Sequence, residues 1–130
     1  QGGWINQRVI RYSEVLLMAA EAANELGGGA NTTNAVNWLE MVRARARAGN
    51  NAILPKVEFV SQAQFRTAVQ NERRYELAFE TERFFDLVRW GLAGSVLGPL
   101  GYTNRHRYYP IPQQAIDNSG GRLVQNPDWQ

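Results

Sequence analysis

Between Phe65 and Trp90 one helical stripe carries apolar and ionic side chains together, and this limits the fold more than any other feature of the sequence. The stretch "NERRYELAFETERFFDLVRW", residues 71–90, reads as helix. Numbered from Phe65 at about 100° per residue, Phe65, Ala68, Val69, Phe79, Leu87 and Trp90 share a face. Glu72, Glu76 and Arg83 fall on that same face. A face so apolar has to be buried, and a carboxylate buried with it needs a cation and hydrogen bonds. Glu72, Glu76 and Glu80 follow one another at i, i+4 and i+8, a spacing at which like charges repel. Arginines must therefore be brought to them, and Arg11, Arg43, Arg45, Arg73, Arg83 and Arg89 are the candidates. We expect Glu72, Glu76, Glu80, Arg83 and Arg89 to tie this segment to the preceding helices through Arg11 and Arg43.

Two further helices precede it. Tyr12 to Leu26, "YSEVLLMAAEAANEL", confines Glu14, Glu21 and Glu25 to a narrow stripe and is otherwise almost wholly apolar. A helix of that kind should be covered on most sides. Its alanines permit close approach of neighbours, and Gly27-Gly28-Gly29 ends it. Asn34 to Ala48 is the second helix, with Ala35, Leu39, Val42 and Ala46 as its buried stripe. The two make a helical hairpin, the unit of helical-repeat proteins, although no second copy is visible in the sequence. Ser61 and Gln64 form a capping-box pair that opens the third segment, which extends toward Trp90 with a break near Thr81. The glycines at 91, 94, 98 and 101 and the prolines at 110, 112 and 127 leave an extended coil tail with one short turn at Gln113 to Asp117.

The fold class expected is all-α: a helical hairpin over 10–49, a third long helical segment over 61–91 and a coil tail over 101–130, in a single domain spanning 1–130. With 130 residues and 44% hydrophobic content, one compact core is within reach.

Several chemistries are disfavoured. The chain has no Cys, hence no disulfide, thiolate metal site or Cys nucleophile. His106 is the single histidine and stands among arginines in "NRHRYY", which suits neither a metal nor a Ser-His-Asp arrangement. "GLAGSVLG" lacks the Lys and the helix that a phosphate loop requires. Arg43, Arg45 and Arg47 have a period of two and splay around a helix rather than lining a nucleic-acid groove. No apolar run approaches the roughly 20 residues of a membrane span. The Glu stripe sets carboxylates about 6 Å apart along a helix, which resembles the separation used in glycoside hydrolysis, but internal pairing is the reading preferred. Trp4, Tyr102, Tyr108, Tyr109 and Trp129 lie in coil, where such rings either stack on sugars or pin coil to helix. Trp4, Trp38 and Tyr102 are the rings weighed for ligand stacking. No catalytic, cofactor or metal residue is assigned, and the ligand-binding residues are unknown at this level.

Four motifs in order, "IRYSEVLLMAAEAANELG", "VRARARAG", "NERRYELAFETERFFDLVRWG" and "YYPIPQQAIDNSGGRLVQNPDW", resemble the C-terminal end of the SusD/RagB family, over about Ile10 to Trp129. Thr81 and Asp128 stand where that family usually has Gly, in "ELAFEG" and "QNPG", and Glu40 where Asn is common. The Thr81 difference bears on the backbone bend expected there. The resemblance implies tetratricopeptide-like helix pairs and a non-enzymatic, nutrient-binding lipoprotein of the outer membrane of Bacteroidetes, anchored on the cell-surface face through an N-terminal lipidated Cys. It implies capture of a polysaccharide, oligosaccharide or other nutrient, a SusC-like TonB-dependent transporter as partner, and no cofactor. Since the chain opens on Gln1-Gly2-Gly3 without Met or Cys, the resemblance also implies a C-terminal fragment that partners the missing N-terminal portion of the same protein. The alternative is a helical-repeat scaffold that binds only protein; nucleic acid is expected as a partner in neither case.

Overall fold

The computed structural model describes residues 9–129. Every regular element among them is helical, and they form two compact units, the first ending at Thr81 and the second beginning at Glu82.

In the first unit, helix α1 is Tyr12–Leu26, with the bounds the apolar run predicts. Gly27 closes it at φ 67°, donating its N–H to Ala23 O; a β-carbon would be crowded in that left-handed conformation. Helix α2 is Gly29–Arg47 and starts earlier than Asn34. The glycine run does not merely stop α1. Asn31 Nδ2 donates to Gly27 O at 2.7 Å and the Thr32 N–H to Gly28 O at 2.8 Å, so the same loop closes the first turn of α2. Helix α3 is Gln62–Glu76. Ser61 caps it by accepting from the Gln64 N–H at 3.2 Å, while the Gln64 side-chain oxygen accepts from Val60 N–H, one residue ahead of the expected partner.

The three helices meet in one apolar core. It takes Leu16, Leu17, Ala20 and Ala23 from α1, Ala35, Leu39 and Val42 from α2, and Phe65 and Val69 from α3. Phe65 is wholly buried, and the Phe59 ring lies 5.7 Å from it. Two expectations fail at the edges of this core. Ala46 is exposed, because the core ends at Val42 and the last turn of α2 has no apolar layer to meet. Tyr12, Val15, Met18 and Leu26 are also exposed, so α2 and α3 cover one side of α1 rather than most of it.

The long stripe is interrupted. Helix α3 stops at Glu76 and helix α4, Glu82–Arg89, begins after a turn in which Phe79 and Thr81 take φ of 66° and 69°. Register is lost across that turn: Leu77 is buried and Phe79, expected on the buried face, is fully exposed. Asp128, at φ 65°, likewise occupies the left-handed region. At both positions where the resemblance expects glycine, the backbone adopts the conformation glycine favours without having one.

The second unit contains α4, helix α5 (Ala93–Leu97), 3-10 turns at Gly98–Leu100 and Asn104–Arg107, and helix α6 (Gln113–Asn118) where a short turn is expected. Its tail is held by side chains that imitate a strand partner. Gln125 accepts from the Ile111 N–H at 2.8 Å and donates to Ile111 O at 2.9 Å, and Asn126 Nδ2 donates to Tyr109 O at 2.6 Å. The "PIP" and "QNP" motifs are thus the two sides of one clamp.

Candidate functional site

The carboxylates of α3 and the turn after it are braces. Arg43, from α2, pairs with Glu72 and also donates to Pro55 O at 3.0 Å. Arg11 pairs with Glu76, bonds the Glu76 carbonyl and Ser13, and reaches Glu80 at 2.7 Å. Arg45 adds a second guanidinium to Glu76 at 2.6 Å. Burial works to raise the Glu76 carboxyl, but hydrogen bonds from Arg11 and Ser13 and the charges of Arg11 and Arg45 outweigh it and hold it below the ordinary carboxylate value. The Glu80 hydrogen bond, against the opposing effect of burial, strengthens the hold of Arg11 on its proton. A carboxylate held ionised by two guanidinia is a poor general acid. The expected tie between α3 and the first helix pair through Arg11 and Arg43 is therefore present for all three glutamates. Arg89 pairs with Asp86 on its own helix at 2.9 Å, and Arg83 lies with it in the second unit. A hollow of about 360 Å³ beside Leu16 and Met41 is bordered by Arg11 and Arg45, both already committed to Glu76.

A different arrangement occupies the second unit. A cavity of about 430 Å³ is walled by Phe84, the Leu97–Gly101 turn, and the tail residues Tyr102, His106, Tyr108, Tyr109, Pro110 and Trp129. Its rings form a chain of tilted and edge-on contacts. Phe84 and Tyr102 have centroids 6.3 Å apart, Tyr102 and His106 5.8 Å, and His106 and Trp129 6.0 Å at 85°. Edge-to-face contacts of this kind hold rings in place without covering their outer faces.

Local sequence explains each position. Thr103 opens the 3-10 turn in a capping box completed by His106: the Thr103 N–H donates to Nδ1 at 2.8 Å. That bond makes Nδ1 the acceptor and leaves Nε2–H as the ring's donor. The Trp129 indole N–H is shared between Arg105 O at 2.8 Å and Tyr108 O at 2.9 Å, which fixes the end of the tail against the turn. The Asn126 and Gln125 clamp then sets Tyr109, Pro110 and Ile111 beside it. The hydroxyls of Tyr102, Tyr108 and Tyr109 bond no described residue and remain available.

Of the rings weighed for ligand stacking, Tyr102 stands in the cavity wall, Trp38 packs against the core of the first unit, and Trp4 lies outside the described residues. Tyr108, Tyr109 and Trp129 join Tyr102, whereas Phe84, Leu97 and His106 were not legible as members. The one available signal was Thr103 three residues before His106, a turn cap rather than a ligand pattern. No group of three or more His, Asp or Glu residues that could hold a metal occurs among the described residues. No helix among them is long and apolar enough to cross a membrane.

The model of the SusD family matches residues 1–104. Two SusD-like proteins of Formosa agariphila are 35% and 39% identical to the chain, over 92% and 85% of its length. They are much longer: the chain spans about a quarter of each, 25% and 22%. A solved SusD homolog from Bacteroides thetaiotaomicron superposes with a TM-score of 0.75 at 30% identity, over 99% of this chain and 29% of that one. A laminarin-binding SusD-like protein superposes with a TM-score of 0.73 at 37% identity, over 95% of this chain and 23% of that one.

Proposed function

The chain belongs to the SusD family, and from that premise we propose that it is the C-terminal part of a non-enzymatic protein that captures glycans at the outer membrane. In this reading a lipidated N-terminal Cys anchors the whole protein on the cell-surface face, a SusC-like TonB-dependent transporter receives the ligand, and the 130 residues partner the N-terminal remainder of the same polypeptide. The observation that carries the proposal is the ring-walled cavity of the second unit, whose lining includes three tyrosines with hydroxyls that bond no described residue. Pyranose rings present an apolar C–H face to aromatic walls and hydroxyls to polar edges, and the cavity offers both. A 37%-identical relative that binds laminarin adds support. The pairing of Glu72, Glu76 and Glu80 with arginines argues against a glycosidase.

Isothermal titration of the chain with a panel of soluble oligosaccharides tests the reading. At least one member should bind, and Tyr108→Ala with Tyr109→Ala should weaken it by roughly tenfold or more, since each stacked ring is worth about 0.5–1.5 kcal/mol beyond its buried area. No binding across the panel, or binding indifferent to both substitutions, would remove the cavity as the site. Reducing ends released from any polysaccharide would overturn the non-enzymatic assignment.

A further inference from the structure

Arg105 and Arg107, in the second unit's tail, are used unlike six arginines of the first. Arg11, Arg43, Arg45, Arg47, Arg66 and Arg73 each face a carboxylate. Arg105 and Arg107 face none among the described residues. Each lies over a ring that walls the cavity: Arg105 4.9 Å from the centroid of Trp129, and Arg107 5.4 Å from that of Tyr108. Both are exposed. A guanidinium stacked on an aromatic face keeps its five N–H donors in the plane, pointing away from the ring, and loses little freedom when an oxyanion arrives. Between them His106 keeps Nε2–H as a donor, its Nδ1 being engaged by Thr103.

We propose that the ring-walled cavity takes an acidic glycan, one whose sugar rings carry carboxylate or sulfate groups, with Arg105 and Arg107 reading the charge. The inference rests on the glycan-capture reading above and narrows it. One feature fits an oxyanion-bearing sugar better than a neutral one. The unpaired charge of Arg105 and Arg107 stands over rings of the cavity walls, where each guanidinium can bond an oxyanion bidentately. Asp128, next to Trp129, is an exposed acid close by in sequence and opposes such a ligand.

The test compares a hexameric oligouronate with the same oligomer after reduction of its carboxyl groups, and with a sulfated galactan hexamer, by titration against the full 130-residue chain. The oligouronate or the sulfated oligomer should bind about tenfold or more tightly than the reduced oligomer, and the stronger of the two identifies the acid. The preference should shrink as salt is raised, because part of it is screened charge. Arg105→Gln with Arg107→Gln should abolish the preference while leaving the weaker binding of the reduced oligomer. Asp128→Asn should enlarge the preference. Equal binding of charged and reduced oligomers, or a preference that survives the double substitution, overturns the charge reading and leaves glycan capture intact. Absence of binding by every oligomer overturns both.

Discussion

The two units solve the problem of holding arginines and aromatic rings in opposite ways. In the first, Phe65 and aliphatic chains fill an apolar core, and Arg11, Arg43 and Arg45 are spent on carboxylates at its edge, at Glu72, Glu76 and Glu80. In the second, few residues are buried, the rings wall an open cavity, and Arg105 and Arg107 rest on them without a counter-ion. The same residue types therefore carry different meanings. An Arg–Glu contact across helices fixes how the helices register, whereas Arg105 and Arg107, which lie over rings and face no carboxylate among the described residues, are the two we assign to a ligand. The units also differ in what orders the backbone. Helix hydrogen bonds and apolar packing order the first. Turn caps and the Gln125, Asn126 and Trp129 side chains order the tail of the second.

The largest effect that probes this contrast is Phe65→Ala. Phe65 is wholly buried among α1, α2 and α3, and its truncation should cost about 3–5 kcal/mol of unfolding free energy in denaturant. A loss near 1 kcal/mol would mean that the first unit is not held by its core. Acid should have a smaller effect. Glu76 in the folded chain lies below the ordinary value of 4.5, so the stability it supplies is fully present above that value. It is lost as pH falls through the folded value, and Glu76→Gln should flatten this part of the pH–stability curve.

Trp129→Phe keeps a ring in the cavity wall but removes the N–H that spans Arg105 O and Tyr108 O. It should cost about 1 kcal/mol, read as a lower melting temperature, and should loosen the 3-10 turn in amide exchange. No change would show that packing alone fixes the tail. The smallest effect has the opposite sign. Thr81 is β-branched and held at φ 69°, so Thr81→Gly should stabilise the chain by about 0.5–1 kcal/mol, relief of strain being partly offset by a more flexible unfolded state. A destabilised variant would show that the Thr81 side chain makes a contact worth more than the strain.

The contrast also explains what the sequence made legible. Helix α1 and the Glu–Arg braces follow from periodicity and charge, because a carboxylate on an apolar helical face has few ways to be satisfied. The start of α2 was missed because Gly27-Gly28-Gly29 reads as a terminator, while Asn31 and Thr32 turn the same residues into the entry of the next helix. Phe79 was misplaced because one helical register was carried across the turn at 77–81, where two left-handed residues reset it. The cavity had no periodic signature at all. Tyr102, Tyr108, Tyr109 and Trp129 stood out as coil aromatics, but Phe84 and Leu97 join them through tertiary placement, and His106 enters as a turn cap.

The division between bracing and ligand-facing arginines is tested most directly by a double-mutant cycle on Arg43 and Glu72, whose side chains are 14% and 6% exposed. Unfolding free energies of the wild type, Arg43→Ala, Glu72→Ala and the double variant should give a coupling of about 2 kcal/mol, as expected for a partly buried charged contact. A coupling within about 0.5 kcal/mol of zero would place this pair among ordinary solvated charges and contradict the account of the first unit as an ion-braced frame.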